Sequence, residues 1–474
     1  MDKKIITEFD KKTNLIKTKG QPKVLDNKVT ALDDTESPQL YRGLFDFDRV
    51  PLIAFDGECV PMEMPKDIWI TDTTFRDGQQ SMAPFETGQV VDLFRLMSKL
   101  GGAKGIIKQS EFFPYTDRER ECIIKCRELG LEFPEITTWI RASEKDFELI
   151  KSLEVAETGI LTSCSDYHIF NKLGLSRKQA MDKYLGIVRK CIESGIKPRC
   201  HLEDITRADI FGFVVPYVTE LMKISQETGV PIKIRACDTM GYGVNITGAA
   251  LPRSVGKLIY VLRHHCGVPS ELIEWHGHDD FYRVVTNATA AWTSGCSSIN
   301  CSLLGIGERT GNCPTEAMCI EYAQLRGTTD GMDLTVITEI AEYFSNEIGY
   351  NIPPRTPFVG SAFNTTRAGI HADGLLKDEE IYNIFDTKKI LGVAPNVSIN
   401  DTSGHAGIAY WINAHYHLSD DMAVKKNCEL VDKVYSMVMQ KYADGRNTVM
   451  NDQELDWIVK KADKAQHKAW SKRL

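Results

Sequence analysis

The chain has 474 residues, 42% hydrophobic and 26% charged, with a formal net charge of -8. That length suggests one large domain with smaller pieces, and the acidic balance gives no electrostatic basis for binding nucleic acid or an anionic membrane. Thirteen Cys, an odd number without a paired framework, fit free thiols in a reducing compartment better than a disulfide scaffold.

The first 20 residues carry charge but no apolar core for a secretory signal. No segment approaches about 18 uninterrupted apolar residues, so a cytoplasmic protein without a membrane span is expected. Residues 1–65 are polar and Pro-punctuated, and read as an N-terminal extension that packs onto something else, such as a neighbouring subunit. From Ile68 short apolar runs of strand length alternate with helix-like stretches, the pattern of parallel β/α units. Eight such runs stand at 68–71, 105–108, 135–140, 158–162, 197–201, 232–236, 272–276 and 298–303. Amphipathic stretches at 89–100, 184–192 and 216–224 lie between them. Eight parallel strands with helices between predict an α/β fold, a TIM (β/α)8 barrel, over residues 66–330. The alternative, an open doubly wound sheet, lacks its glycine fingerprint, because the first strand leads into DTTFRDGQQ. Residues 331–474 are mainly helix-patterned, with 422–441 and 452–470 the clearest, and are expected to form C-terminal helical subdomains.

A barrel keeps its chemistry at the carboxyl ends of its strands. Those ends carry Asp72, Arg76 and Asp77, then Arg141, then His201, Glu203 and Asp204, then Asp238 and Thr239, then His276 and His278. The last opens into GIGERTGN at 305–312. Residues two apart on a strand share a face, so His276 and His278 can converge on one ion. Asp77 from the first strand would complete a two-His, one-carboxylate set with open positions. An HxH pair by itself is more often two surface histidines, and its place at a strand end is what favours a ligand pair. Arg76 beside Asp77 is by default a solvated loop pair, but next to a metal its guanidinium could stabilise an enolate oxygen. The GIGERTGN amides either turn the chain or approach a substrate, with Asn312 buttressing the metal. His371 in AGIHADG, outside the barrel, has no role that composition alone supports.

Together these motifs resemble the family of metal-dependent barrel enzymes that includes isopropylmalate, homocitrate, citramalate and Re-face citrate synthases, with HMG-CoA lyase among its relatives. The matching stretches are DTTFRDGQQ at 72–80, HLEDITR at 201–207, CDTMGYG at 237–243, HGHDD at 276–280, LLGIGERTGNCPTEA at 303–317 and GIHADG at 369–374. The resemblance implies that Asp77, His276 and His278 bind a divalent metal (Mn2+ or Co2+ first, Mg2+ or Zn2+ next), with Asn312 close by. It implies that Arg76 stabilises the enolate and that Glu203, Thr239, Arg207 and Gln80 meet the oxo acid. It also implies that His371, followed by Tyr382, reaches the active site of the partner in a homodimer. A chain that continues past 330 with both residues is similar to the condensing enzymes, not to the shorter lyases. DTTFRDGQQ, QSEFFP at 109–114 and HDDFYRVVTNA at 278–288 are most similar to the Re-face citrate synthase branch. This implies acetyl-CoA and oxaloacetate as substrates, with Arg141 the candidate for the distal carboxylate. A sister synthase with another 2-oxo acid, or a lyase on the same metal site, is the alternative.

Overall fold

This computed structural model describes residues 6–10, 15–19 and 31–473. The chain divides into two compact units, one ending at Asp333 and one beginning at Leu334. In the first unit the eight apolar runs form a closed parallel barrel in chain order. Its strands are β1 Trp69–Asp72, β2 Ile107–Phe112, β3 Glu135–Arg141, β4 Glu157–Leu161, β5 Lys197–Glu203, β6 Lys233–Asp238, β7 Ile273–Gly277 and β8 Ser298–Cys301. Closure comes from β8 pairing with β1, Ser298 opposite Trp69 and Cys301 opposite Asp72.

The apolar core lies outside the barrel. Ile70, Ile140, Ile160, Leu202, Ile234, Trp275 and Ile299 are fully buried on the outward strand faces. The helices meet them with stripes at helical spacing, as Val90, Leu93, Phe94, Met97 and Leu100 do on the helix Thr87–Gly101. The inside of the barrel is different. Barrels of this class are usually filled by layers of branched apolar side chains. Here Gln109, Glu111, Glu157, Arg199, Arg235 and Glu274 are buried there, and their contacts span non-adjacent strands.

That polar filling explains a displaced strand. The second run was expected at 105–108, whereas β2 spans Ile107–Phe112. Gly105 sits at φ +62°, in the turn before the strand. The true strand carries Gln109, Ser110 and Glu111, which look like loop residues until the barrel interior is known to be polar.

Residues 31–65 pack on the barrel of their own chain. Phe55 bridges Ala249, Arg253 donates to the carbonyls of Pro51 and Leu52, Lys257 pairs with Asp56, and Arg263 and His264 pair with Glu63. Within the expected N-terminal extension two short strands, Ile6–Asp10 and Leu15–Lys19, also pair antiparallel.

The second unit is largely helical around Ile408, Trp411, Ile412, Val431, Val434, Val438, Leu455 and Ile458. The helix expected at 422–441 begins later, as Glu429–Ala443. The one expected at 452–470 is cut in two at Asp463, whose carboxylate accepts the amides of Ala465 and Gln466 and so starts a new helix. Among the described residues no helix is long and apolar enough to cross a membrane.

Candidate metal centre and active site

The turn after β1 is built by Asp72. Its buried carboxylate accepts the amide and hydroxyl of Thr74 and the hydroxyl of Ser110 at 2.6 Å. Burial raises its pKa to about 6. The amides of Arg76, Asp77 and Gly78 then all close onto the Thr73 carbonyl. This tight turn places Arg76 and Asp77 at the mouth of the barrel, both nearly inaccessible to solvent.

Across the mouth, β7 and the residue after it present His276 and His278. One ligand atom from each, with a carboxylate oxygen of Asp77, lies within 4.8 Å of the other two. The two Nε2 atoms are 3.3 Å apart, and Asp77 Oδ2 is 3.9 Å from His276 Nε2 and 3.6 Å from His278 Nε2. His276 Nδ1 lies 2.9 Å from Asn300 Oδ1, an acceptor, so that nitrogen carries the proton and Nε2 keeps its lone pair for the site.

Titration favours metal-ready forms. Burial, and then the neighbouring His278, push His276 well below an ordinary histidine; burial lowers His278 as well. Burial pushes the Asp77 carboxyl up, but the Arg76 guanidinium and the two histidines outweigh it and hold it well below the usual range. Asp77 Oδ2 is buried without a hydrogen-bond partner. Two neutral imidazoles and one ionised, unpartnered carboxylate oxygen converging on one point fit a divalent cation.

Asn312 is delivered by the GIGERTGN loop. The loop is folded on itself: the Asn312 amide donates to the Gly305 carbonyl at 2.9 Å, and Asn312 bridges His278. The Asn312 side chain donates to the Ile306 carbonyl and also helps to hold the Asp77 carboxyl low. A Cβ on Gly307 would lie 2.4 Å from Asn312 Nδ2, so glycine is needed there for close approach. The amides of Gly305 and Ile306 donate to the carbonyls of Ser302 and Leu303 just before the loop, and those of Gly311 and Asn312 to Glu308 and Gly305 within it.

Other predicted residues sit as follows. Arg76 donates through Nε to Glu111 and through Nη1 to Asp77, each at 2.8 Å, with its guanidinium 5.7 Å from the Trp139 ring centre. Glu203 contacts the Ser163 hydroxyl, His168 and Lys172; burial raises its pKa, but His168 in particular outweighs this and brings it to about 2. The Thr239 hydroxyl accepts the Asp204 amide at 2.9 Å. Arg207 pairs with Asp204 and lies over the Tyr167 ring at 4.1 Å. Gln80 is exposed. Arg141, the candidate for the distal carboxylate, grips Asp146 at 2.7 and 2.9 Å, and its side chain is 62% exposed. In the second unit, the rings of His371 and Tyr382 are 4.5 Å apart. A Cβ on Gly374 would stand 2.5 Å from the Tyr382 ring, so the glycine of GIHADG is what lets that tyrosine lie down on its helix.

Glu111, within QSEFFP, had no role assignable from the sequence. It accepts from Arg76, from Arg235 at 3.0 Å and from Arg199 at 2.7 Å, with His201 Nε2 at 3.4 Å. Burial pushes its carboxyl up, but Arg235 and Arg76 foremost hold it well below the usual range. A missing side chain was the available signal: a Cβ on Gly159 would sit 2.5 Å from His201 Nε2 and 2.9 Å from Glu111 Oε1.

The HMGL-like family model matches residues 67–344. The citrate (Re)-synthase of Clostridium kluyveri is 56% identical over 430 residues, covering 91% of this chain and 95% of that protein. The citrate (Re)-synthase of Syntrophus aciditrophicus is 52% identical, covering 94% of this chain and 72% of its own length. The 2-phosphinomethylmalate synthase of Streptomyces hygroscopicus is 35% identical over 91% of this chain and 98% of that protein.

Proposed function

We propose that this chain, which belongs to the HMGL-like family, is a cytoplasmic Re-face citrate synthase that joins acetyl-CoA to oxaloacetate and releases citrate and CoA. One observation carries this reading: identity of 56% and 52%, spread over nearly the whole chain, to two relatives that bear that name. The converging trio beside Arg76 supports it, because a Claisen condensation needs a polarised carbonyl and a stabilised enolate side by side.

Asp77, His276 and His278, with Asn312 alongside, would hold the divalent ion, manganese or cobalt before magnesium or zinc. When bound, it supplies Lewis-acid polarisation of the oxo acid's C2 carbonyl. Arg76, already fixed by Glu111 and Asp77, meets the thioester oxygen of acetyl-CoA and neutralises the charge that grows there. His371, contributed by the partner of a homodimer, takes a proton from the acetyl methyl group with Tyr382 beside it. The enolate carbon then attacks C2, and water cleaves the citryl thioester to free CoA. Glu203, Thr239 and Gln80 border the oxo acid. Arg207 and Arg141 are the cations for its carboxylates; each is already paired with an aspartate and would share its fork with the substrate.

The test is thiol release from acetyl-CoA with oxaloacetate, 2-oxoglutarate, pyruvate and 2-oxoisovalerate in turn, with the stereochemistry of the product determined. Oxaloacetate should be preferred and citrate should arise by attack on its Re face. Preference for another oxo acid would make the chain a sister synthase instead.

A further inference from the structure

The polar interior of the barrel contains a continuous run of side-chain hydrogen bonds with the proposed metal trio at both ends. His276 Nδ1 donates to Asn300 Oδ1 at 2.9 Å, and Asn300 Nδ2 donates to the Thr71 hydroxyl at 3.0 Å. Thr71 donates to one Glu274 oxygen, and the other accepts from Arg235 Nε. Arg235 Nη1 reaches Glu111 at 3.0 Å, Glu111 accepts Arg76 Nε at 2.8 Å, and Arg76 Nη1 donates to Asp77 at 2.8 Å. His276 and Asp77 face each other across the site. The path is an open chain whose two ends face each other, with members on β1, β2, β6, β7 and β8 and in the turn after β1.

Each link has one permitted polarity. The Glu274 carboxylate can only accept, so Thr71 must spend its proton there and offer a lone pair to Asn300. Asn300 must then turn its NH2 to Thr71 and its oxygen to His276. That fixes the proton on His276 Nδ1 and leaves Nε2 bare. On the other arm Arg235 occupies Glu111 from one side and aligns the oxygen that Arg76 Nε uses.

We propose that the Arg235–Glu274 pair is a positioning pair that sets the tautomer of His276 and the orientation of Arg76 together, as the central link of this chain inside the barrel. This rests on the condensing-enzyme reading for the role of Arg76, but not for the tautomer of His276. Stability alone does not account for the pair. Replacing a buried ion pair by apolar side chains of similar volume is often neutral or stabilising. Arg235 Nη2 is buried without a hydrogen-bond partner, so the pairing is not even complete. What apolar filling cannot supply is directionality at the two ends.

The test is the double variant Arg235→Met/Glu274→Met, which removes both charges, in the full chain. Manganese affinity is read by direct titration, and kcat and KM are read at saturating metal, with a thermal melt as folding control. The expected result is a folded protein whose manganese dissociation constant rises about tenfold and whose kcat falls about tenfold, in line with other outer-shell partners of metal ligands. A folded double variant with both quantities within about threefold of wild type overturns the proposal. Should the double variant not fold, Arg235→Lys keeps the charge, but a point cation serves one carboxylate at a time. Weaker manganese binding and slower turnover in that variant support the proposal, and wild-type values for both overturn it. The titration needs no turnover, so a wild type that makes no citrate would sink the functional reading and leave the metal readout standing.

Discussion

Replacing Arg76 with Lys tests the central electrostatic element of the site. Arg76 makes two buried charge-assisted hydrogen bonds at 2.8 Å, to Glu111 and to Asp77, on different edges of one planar fork. An ammonium is a single point of charge and cannot hold both positions. Losing one hydrogen bond to a charged group costs about 1.5–3 kcal/mol. Glu111 keeps Arg199 and Arg235 as partners, so the cost should fall near the lower end. Urea unfolding should therefore show a midpoint lowered by about 2 kcal/mol of stability with an unchanged slope. The kinetic effect should be larger. Removing one preaimed donor to a developing oxyanion costs about 10²–10³ in kcat, whereas loss of uniform binding would raise KM and spare kcat. Thiol release from acetyl-CoA at saturating oxaloacetate and metal separates the two. A kcat within about threefold of wild type would refute the assignment of Arg76 to the enolate, whatever happens to KM.

Stripping the protein with a chelator should abolish turnover, and adding back manganese or cobalt should restore it better than magnesium or zinc. Full activity in chelator would remove the metal from the reaction. His371→Ala should lose most turnover, about 10²-fold or more as expected for a general base, while binding manganese as wild type does. Retained turnover would end that assignment. Burial raises the Glu316 carboxyl from 4.5 to about 7. Between those pH values the folded chain holds a proton that the unfolded chain has lost, so stability falls as pH rises through this window, by up to about 3 kcal/mol. Glu316→Gln cannot titrate, so its stability advantage should be small at pH 5 and grow to about 3 kcal/mol at pH 8. Parallel stability curves for the two proteins would refute this.

The barrel was legible because its outward faces are apolar and of strand length: seven of the eight runs lie within two residues of the strand at both ends. The remaining run, the second in chain order, was displaced for the reason that hid Glu111. Gln109 and Glu111 point into an interior that packs charge against charge, and hydropathy along one strand cannot show the Arg199 and Arg235 that meet them from elsewhere. The convergence of His276 and His278 with Asp77 was legible because HxH at a strand end fixes a shared face without knowledge of the partner strands. Arg141 shows the opposite limit. Its position at a strand end was legible, but not that Asp146, five residues on at the start of the next helix, takes one edge of its fork through Nε and Nη2. The break at Asp463 was hidden because Asp within a helical pattern is read as a surface residue, whereas here it caps the helix that follows.

The charged filling of the barrel also bears on how the domain can be assembled. Glu111 and Glu157 lie on β2 and β4, while Arg199, Lys233 and Arg235, which pair with them, lie on β5 and β6. A fragment ending after β4 would leave Glu157 without Arg199 and Lys233 and Glu111 with Arg76 alone, and one starting at β5 would set Arg199, Lys233 and Arg235 against Glu274. Neither half can dehydrate its concave side without the other. Evolution can duplicate or swap half-barrels where each half seals with its own hydrocarbon; this one must be inherited, and must close, as a single electroneutral whole.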